Sequence, residues 1–208
     1  PHSQRCERIF AKAALAGVPV YHFRQIAESQ SGQVKISHLS ENELGSLIPN
    51  ASYTTAKRAL DMLGALVLIP VCVPVFAVIA ALIKLDSSGS AFFVQERIGY
   101  RGQTFRMIKF RTMHARGTIH SAGAQREDAM TKSDDDRVTR IGRFLRKSRL
   151  DELPQILNVL RGDMSFIGPR PEACSLSEWY EAELPFYSYR HIVRPGITGW
   201  AQVNQGHV

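Results

Sequence analysis

The chain has 208 residues and a formal net charge of +7, enough for one good-sized domain or one domain plus a fragment. A basic balance suits nucleic acid, an anionic membrane surface or phosphorylated substrates. Cys6, Cys72 and Cys174 stand far apart without CxxC spacing, and the seven histidines show no HxxxH pair. These spacings argue against a disulfide framework or a zinc site and suit a reducing compartment.

The opening decapeptide, PHSQRCERIF, lacks the apolar run of a signal peptide. SQRCERIFAKAALAG has helix-forming composition, and GVPVYHF reads as a short buried strand after a Gly break. SENELGSLIP suits a second helix, with Ser40 and Glu43 as its capping box. One strand between two helices cannot close a core. Residues 1–50 therefore read as a fragment of an N-terminal α/β domain, followed by a linker over 51–56.

From Met62 to Ile83 no residue is charged, and about 20 apolar residues suffice to cross a bilayer as a helix. Pro70 and Pro74 sit in the middle and are expected to bend or break that helix. Lys57 and Arg58 precede the segment and Lys84 follows it, whereas a spanning helix usually concentrates its basic residues on one side. The segment over 57–86 thus reads as a re-entrant membrane helix bent at Pro70 and Pro74, its basic flanks meeting anionic lipid headgroups. A buried helix of a soluble protein is the remaining reading.

AFFVQERIGYRGQTFRMIKFRTM alternates as a hairpin does, around a Gly-Tyr-Arg-Gly turn. Residues 114–137 read as a long polar loop, and Asp134-Asp135-Asp136 as solvated rather than metal-binding. VTRIGRFLRKS carries apolar residues at helical spacing with a basic opposite face.

The run RKSRLDELPQILNVLRGDMSFIGPRPE, from Arg146 to Glu172, places two adjacent acids, Asp151 and Glu152, behind Arg146, Lys147 and Arg149. Leu153, Ile156, Leu157 and Leu160 repeat as the stripe of a short helix, with Gly162 as its C-cap. That puts Asp151 at or near the N-cap and Glu152 in the first turn, where unpaired N–H groups favour carboxylates and phosphate alike. A capped surface helix and a catalytic acid pair both satisfy this pattern. Further on, SLSEWYEAELPFYSYRH is rich in Trp and Tyr, which suit a membrane interface or a core.

KFRTM (109–113), RVTRIGRFLRKSRLDELPQILNVLRGDMSFIGPRPE (137–172) and VRPGITGWAQVN (193–204) closely resemble the bacterial sugar transferases, the monotopic phosphoglycosyl transferases that start exopolysaccharide and O-antigen synthesis. The resemblance covers about Lys57 to the end. It implies an α+β, mainly helical monotopic membrane fold: a re-entrant proline-broken helix, interfacial amphipathic helices and a small β-hairpin. Residues 87–208 are then the catalytic domain. Family members commonly extend at both ends, so this chain is expected to lack part of an N-terminal domain and a C-terminal interfacial segment. Where smaller members bend at Ser-Pro, this chain has Val73-Pro74.

The resemblance further implies the reaction. A UDP-sugar donates its sugar-1-phosphate to polyprenyl (undecaprenyl) phosphate and releases UMP, through a covalent phospho-sugar intermediate on Asp151. Glu152 helps hold Mg²⁺. The fold is expected on the cytoplasmic face of the bacterial inner membrane, without nucleic acid; a homodimer is an allowed assembly. The alternative is a catalytically incomplete membrane-docked scaffold. A carboxylate nucleophile needs no general base at neutral pH, and Mg²⁺ and arginines reduce its repulsion from a diphosphate. Adjacent helical side chains diverge by about 100°, so one acid faces phosphorus and the other the ion.

Arg146 matches a family arginine; phosphate binding and surface charge both fit it. Arg170, fixed between Pro169 and Pro171, suits bidentate phosphate contact. Lys109 and Arg111 flank Phe110 and face the site together if the strand continues. Arg194, before Pro195-Gly196, is expected at the nucleotide. Trp200 either stacks on a base or packs in the core. Asp163 reads as a turn former.

Overall fold

The computed structural model describes residues 30, 49–114, 135–184 and 186–204. The chain divides into two compact units, Pro1–Glu41 and Asn42–Val208. The sequence readings for residues 1–48, including the Ser40–Glu43 capping box, fall outside the described residues, apart from a helical Gln30.

The second unit is built on α1, a 36-residue helix from Ala51 to Asp86. Asn50 caps it, its side-chain oxygen accepting from Ser52 N at 2.9 Å. The expected linker over 51–56 is therefore the first helical turns. Pro70 and Pro74 both lie inside α1, and the chain stays helical through them, which corrects the expected break. Each proline removes one i→i−4 donor, and the bonds on either side carry the helix on. Only 17% of its most apolar window is buried, with Leu63, Val67, Val71 and Val78 at least 60% exposed. A core helix of a soluble protein would not leave such a surface in water.

The hairpin forms as the alternation predicts. β1 (Phe92–Ile98) pairs antiparallel with β2 (Thr104–Phe110), Gln95 opposite Met107. Arg101 and Gly102 take positive φ in the turn. Most of the expected loop over 114–137 lies outside the described residues. A short amphipathic helix, α2 (Arg140–Ser148), is the next described element, capped by Thr139 Oγ1 on Gly142 N. Gly142 is required there: a Cβ would lie 2.1 Å from Thr112 O. Just before α2, Arg137 donates to both carboxylate oxygens of Asp135, which holds that carboxyl's pKa down at about 2.

Next come a 3₁₀ segment, Leu150–Gln155, and α3 (Ile156–Arg161), closed by Gly162 at φ 94°. Two three-residue strands, β3 (Ser165–Ile167) and β4 (Gly196–Thr198), pair in parallel. Between them lie α4 (Cys174–Glu183) and a 3₁₀ segment, Tyr187–Ile192; α5 (Trp200–Asn204) is last. Gly168 and Gly196 let β3 and β4 touch, since a Cβ on Gly196 would lie 2.1 Å from Gly168 N.

Two apolar clusters anchor α1 along its length. Ala65 packs with Met107, Ile156, Val159 and Met164, and Ile79 and Ile83 pack with Phe110 and Leu145. Polar contacts fasten both ends. Arg58 donates to Leu160 O at 2.9 Å, and Phe166 N donates to Asp61 Oδ1 at 3.2 Å. Lys57 pairs with Asp61 and bonds Ser165 Oγ. At the far end Ile141 N donates to Asp86 Oδ2 at 3.2 Å. Lys57 and Arg58 were expected at lipid headgroups; they bind the protein instead, because buried Asp61 and the end carbonyls of α3 need partners. Lys84 is exposed.

Candidate active site

Asp151 and Glu152 are both buried. They sit in the first turn of the 3₁₀ segment rather than at an α-helical N-cap, and the residue before that segment, Arg149, is left-handed at φ 60°. Pro154 explains the geometry: without an N–H it cannot make the α-type bond back to Leu150 O. At three residues per turn, the two acids diverge by about 120°. The 3₁₀ segment is only six residues long and includes the acids themselves, so basic side chains set their surroundings.

Glu152 faces β2. Lys109 Nζ lies 3.0 Å from its Oε1, and Arg149 is 4.0 Å away on the same oxygen. Burial pushes the Lys109 ammonium below its ordinary pKa while Glu152 opposes that shift. Asp151 faces another way. Its Oδ1 is buried without a hydrogen-bond partner, and burial pushes its carboxyl above the ordinary value; Lys109, Arg149 and Arg146 oppose, while Glu152 adds to the rise. Arg146 is oriented by Thr112, whose Oγ1 accepts from Nε at 2.9 Å.

A narrow cleft opens beside the pair, with Glu152, Lys109, Arg170, Arg97, Gln155 and Gln202 among its lining residues. Asp151 is not part of that lining. The second sheet holds the Pro-Arg-Pro turn in place: Gly196 N donates to Pro169 O at 2.9 Å, and Arg190 donates to Arg170 O at 2.8 Å.

Two expected site residues lie elsewhere. β2 ends at Phe110, so strand alternation no longer governs Arg111. It turns to the exit of α1 and donates to Ser87 O and Ser88 O at 2.7 and 2.8 Å. Arg194 closes the end of α3 by donating to Gly162 O at 2.9 Å, with its guanidinium 4.8 Å from the Tyr100 ring centroid. Trp200 is 68% exposed, which rules out core packing. Asp163 forms a turn as expected, accepting from Asn158 Nδ2 at 3.1 Å.

Sequence reasoning missed Arg97, Thr112 and Asn158. Arg97 was legible in principle: in the hairpin register Phe93, Gln95 and Arg97 oppose Lys109, Met107 and Phe105, so Arg97 shares a face with Lys109. Asn158 is fully buried and ties β2 to α3, accepting from Ile108 N and donating to Arg106 O.

The model of the family described as bacterial sugar transferase matches residues 52–208. The chain belongs to that family. Three bacterial sugar transferase relatives illustrate the range. A UDP-N-acetylgalactosamine-undecaprenyl-phosphate N-acetylgalactosaminephosphotransferase of Aeromonas hydrophila is 51% identical over 97% of this chain and 46% of its own length. A UDP-glucose:undecaprenyl-phosphate glucose-1-phosphate transferase of Caulobacter vibrioides is 45% identical over 76% of this chain and 57% of its own. The exopolysaccharide production protein ExoY of Rhizobium meliloti is 41% identical over 72% of this chain and 69% of its own. The chain thus spans about half the length of the first two.

Proposed function

We propose that this bacterial sugar transferase moves a sugar-1-phosphate from a UDP-sugar to undecaprenyl phosphate. The observation that carries the reading is Asp151: a buried carboxylate with an unpartnered oxygen, set among Lys109, Arg146 and Arg149, beside a cationic cleft. An orphaned buried carboxylate is a cost that a purely structural site would have removed.

In this mechanism a carboxylate oxygen of Asp151 attacks the phosphorus that bears the sugar. The bond from that phosphorus to the bridging oxygen breaks, and UMP leaves with the electron pair. An oxygen of undecaprenyl phosphate then attacks the same phosphorus, restores the Asp151 carboxylate and yields the diphosphate-linked sugar. No side chain must remove a proton in the first step. Lys109, Arg146 and Arg170 offset charge on the phosphates.

Mg²⁺ suits the donor set. Among the described residues no cluster of three metal-ligating side chains is preassembled, but Mg²⁺ commonly takes one or two carboxylates plus substrate phosphates. Glu152 supplies the one carboxylate for that demand, the substrate phosphates the remaining oxygens, and Asp151 is left free to attack phosphorus. The ion would neutralise diphosphate charge.

Both ends of α1 are fastened to the same body, by Arg58 and Asp61 at one end and Asp86 at the other. A body carrying buried charge cannot occupy both sides of a bilayer, which supports a helix that enters and leaves one leaflet. That leaflet is the cytoplasmic face of the inner membrane, where a UDP-sugar is available. The direct test is UMP release by the full-length protein in membranes, with UDP-N-acetylgalactosamine and UDP-glucose, with and without undecaprenyl phosphate. Release that requires the lipid supports the reading; no release from either donor overturns it for both sugars.

A further inference from the structure

The cleft holds a cation that the transfer steps above leave without a role. Arg97 reaches it from the Lys109 face of the hairpin. Two of its nitrogens have partners: Nη2 donates to Gln95 Oε1 at 2.6 Å and Nη1 to Pro171 O at 3.3 Å. Its Nε–H is buried with no acceptor. A buried donor on a charged group that lacks a partner is destabilising.

The surroundings make the missing partner an anion. Arg170 and Lys109 share the lining with Arg97, and the one acid there, Glu152, already pairs with Lys109. Glu172, the acid with the strongest pull on Arg97, also stands 3.6 Å from Arg190. Burial lowers the guanidinium pKa and Arg170 adds to that, against the pull of Glu172. Arg97 is also coupled to the Pro-Arg-Pro turn: it bridges Ala173 across an isolated backbone pair, besides its bond to Pro171 O. A planar donor fork with an unpaired N–H, next to a second arginine held between prolines, matches phosphate oxygens in geometry and charge.

We infer that Arg97 binds phosphate in this cleft together with Arg170, and that the ligand class is a diphosphate. That the diphosphate belongs to the sugar donor rests on the transferase reading; the anion site itself does not. A purely architectural Arg97, tying Pro171 to β1, is the competing account.

Calorimetric binding to the detergent-solubilised full-length protein separates them, with inorganic pyrophosphate, UDP and uridine as probes. Losing one charged hydrogen-bond donor should weaken pyrophosphate and UDP about 10- to 100-fold in Arg97→Gln, while uridine binding changes less than about twofold. Gln keeps a donor for Pro171 O, so the architectural account predicts little change or an equal loss for all three probes; either result overturns the inference, as does wild-type protein that binds neither pyrophosphate nor UDP. If Arg97→Gln does not fold, Arg97→Lys decides: weaker pyrophosphate binding by about threefold or more at unchanged Tm supports the site, and unchanged affinity overturns it. Arg97-dependent pyrophosphate binding in a chain that releases no UMP would sustain the anion site and sink the transferase reading. UMP release with undiminished pyrophosphate affinity in Arg97→Gln would do the reverse.

Discussion

Lys109 and Glu152, 43 residues apart in sequence, meet at 3.0 Å as a largely buried ion pair that joins the hairpin to the acid-bearing turn. Breaking one side of such a pair strands the other charge, which costs about 3–5 kcal/mol when fully buried and less where solvent reaches. Lys109→Met is therefore expected to destabilise the fold by about 2–4 kcal/mol. Replacing both residues with Met should recover much of that loss. Additivity within about 0.5 kcal/mol in the double-mutant cycle would show that the two side chains do not interact.

Asp151→Asn should abolish transfer and raise stability together. The neutral amide is a poor nucleophile, so labelled UDP-sugar should leave no covalent adduct at position 151. Burial penalises the ionised carboxylate, and removing that penalty is worth about 1 kcal/mol, or about 2–4 °C in Tm. A lower Tm at pH 7.5 than wild type would count against a strained catalytic carboxylate.

The same shift fixes a pH dependence. The folded-state pKa of Asp151 is raised, so its contribution to stability is fully present below the unfolded value near 3.8 and is lost as pH rises through the folded value. Transfer runs the opposite way, because the nucleophile must be ionised. The acid limb of activity should thus fall at a higher pH than an ordinary Asp would give. Rates that stay constant down to pH 4 in a protein that remains folded would contradict this assignment.

Glu152→Gln is expected to lose most activity and to need more Mg²⁺ for half-maximal rate, since a neutral amide binds a hard cation less well than a carboxylate does. Because Lys109 loses its charged partner too, Tm should be followed alongside. An unchanged Mg²⁺ titration with an unchanged rate would leave Glu152 as a structural partner of Lys109 only.

The topology of α1 yields a labelling experiment. With Cys6, Cys72 and Cys174 replaced, single cysteines at Ser52 and Ser88 should both resist an impermeant thiol reagent in intact cells and react once the inner membrane is opened. Labelling at Ser52 from outside, with Ser88 protected, would establish a true span.

Local signals sufficed wherever neighbours in sequence set the outcome. The uncharged run from Met62 to Ile83 lies within a helix, though an unbroken one; the alternation around Gly99–Gly102 forms the expected hairpin; and Gly162 closes the helix in which the stripe ends. The acids at 151 and 152 were also plain in the sequence, as was their crowding by basic residues. These features depend on backbone periodicity and capping over a few residues.

Only the tertiary structure decided which cations serve which anions. Lys57 and Arg58 meet β3 and α3 more than 100 positions away, Arg111 turns back to Ser87, and Arg97 enters the cleft that Arg111 was expected to share. The helical start at Asp151 likewise became a 3₁₀ turn, because Pro154 withholds a donor. A long basic side chain can reach in several directions at little intrinsic cost. Its partner is chosen by where distant elements bury an acid or leave a carbonyl unpaired, and residue spacing along the chain does not encode that choice.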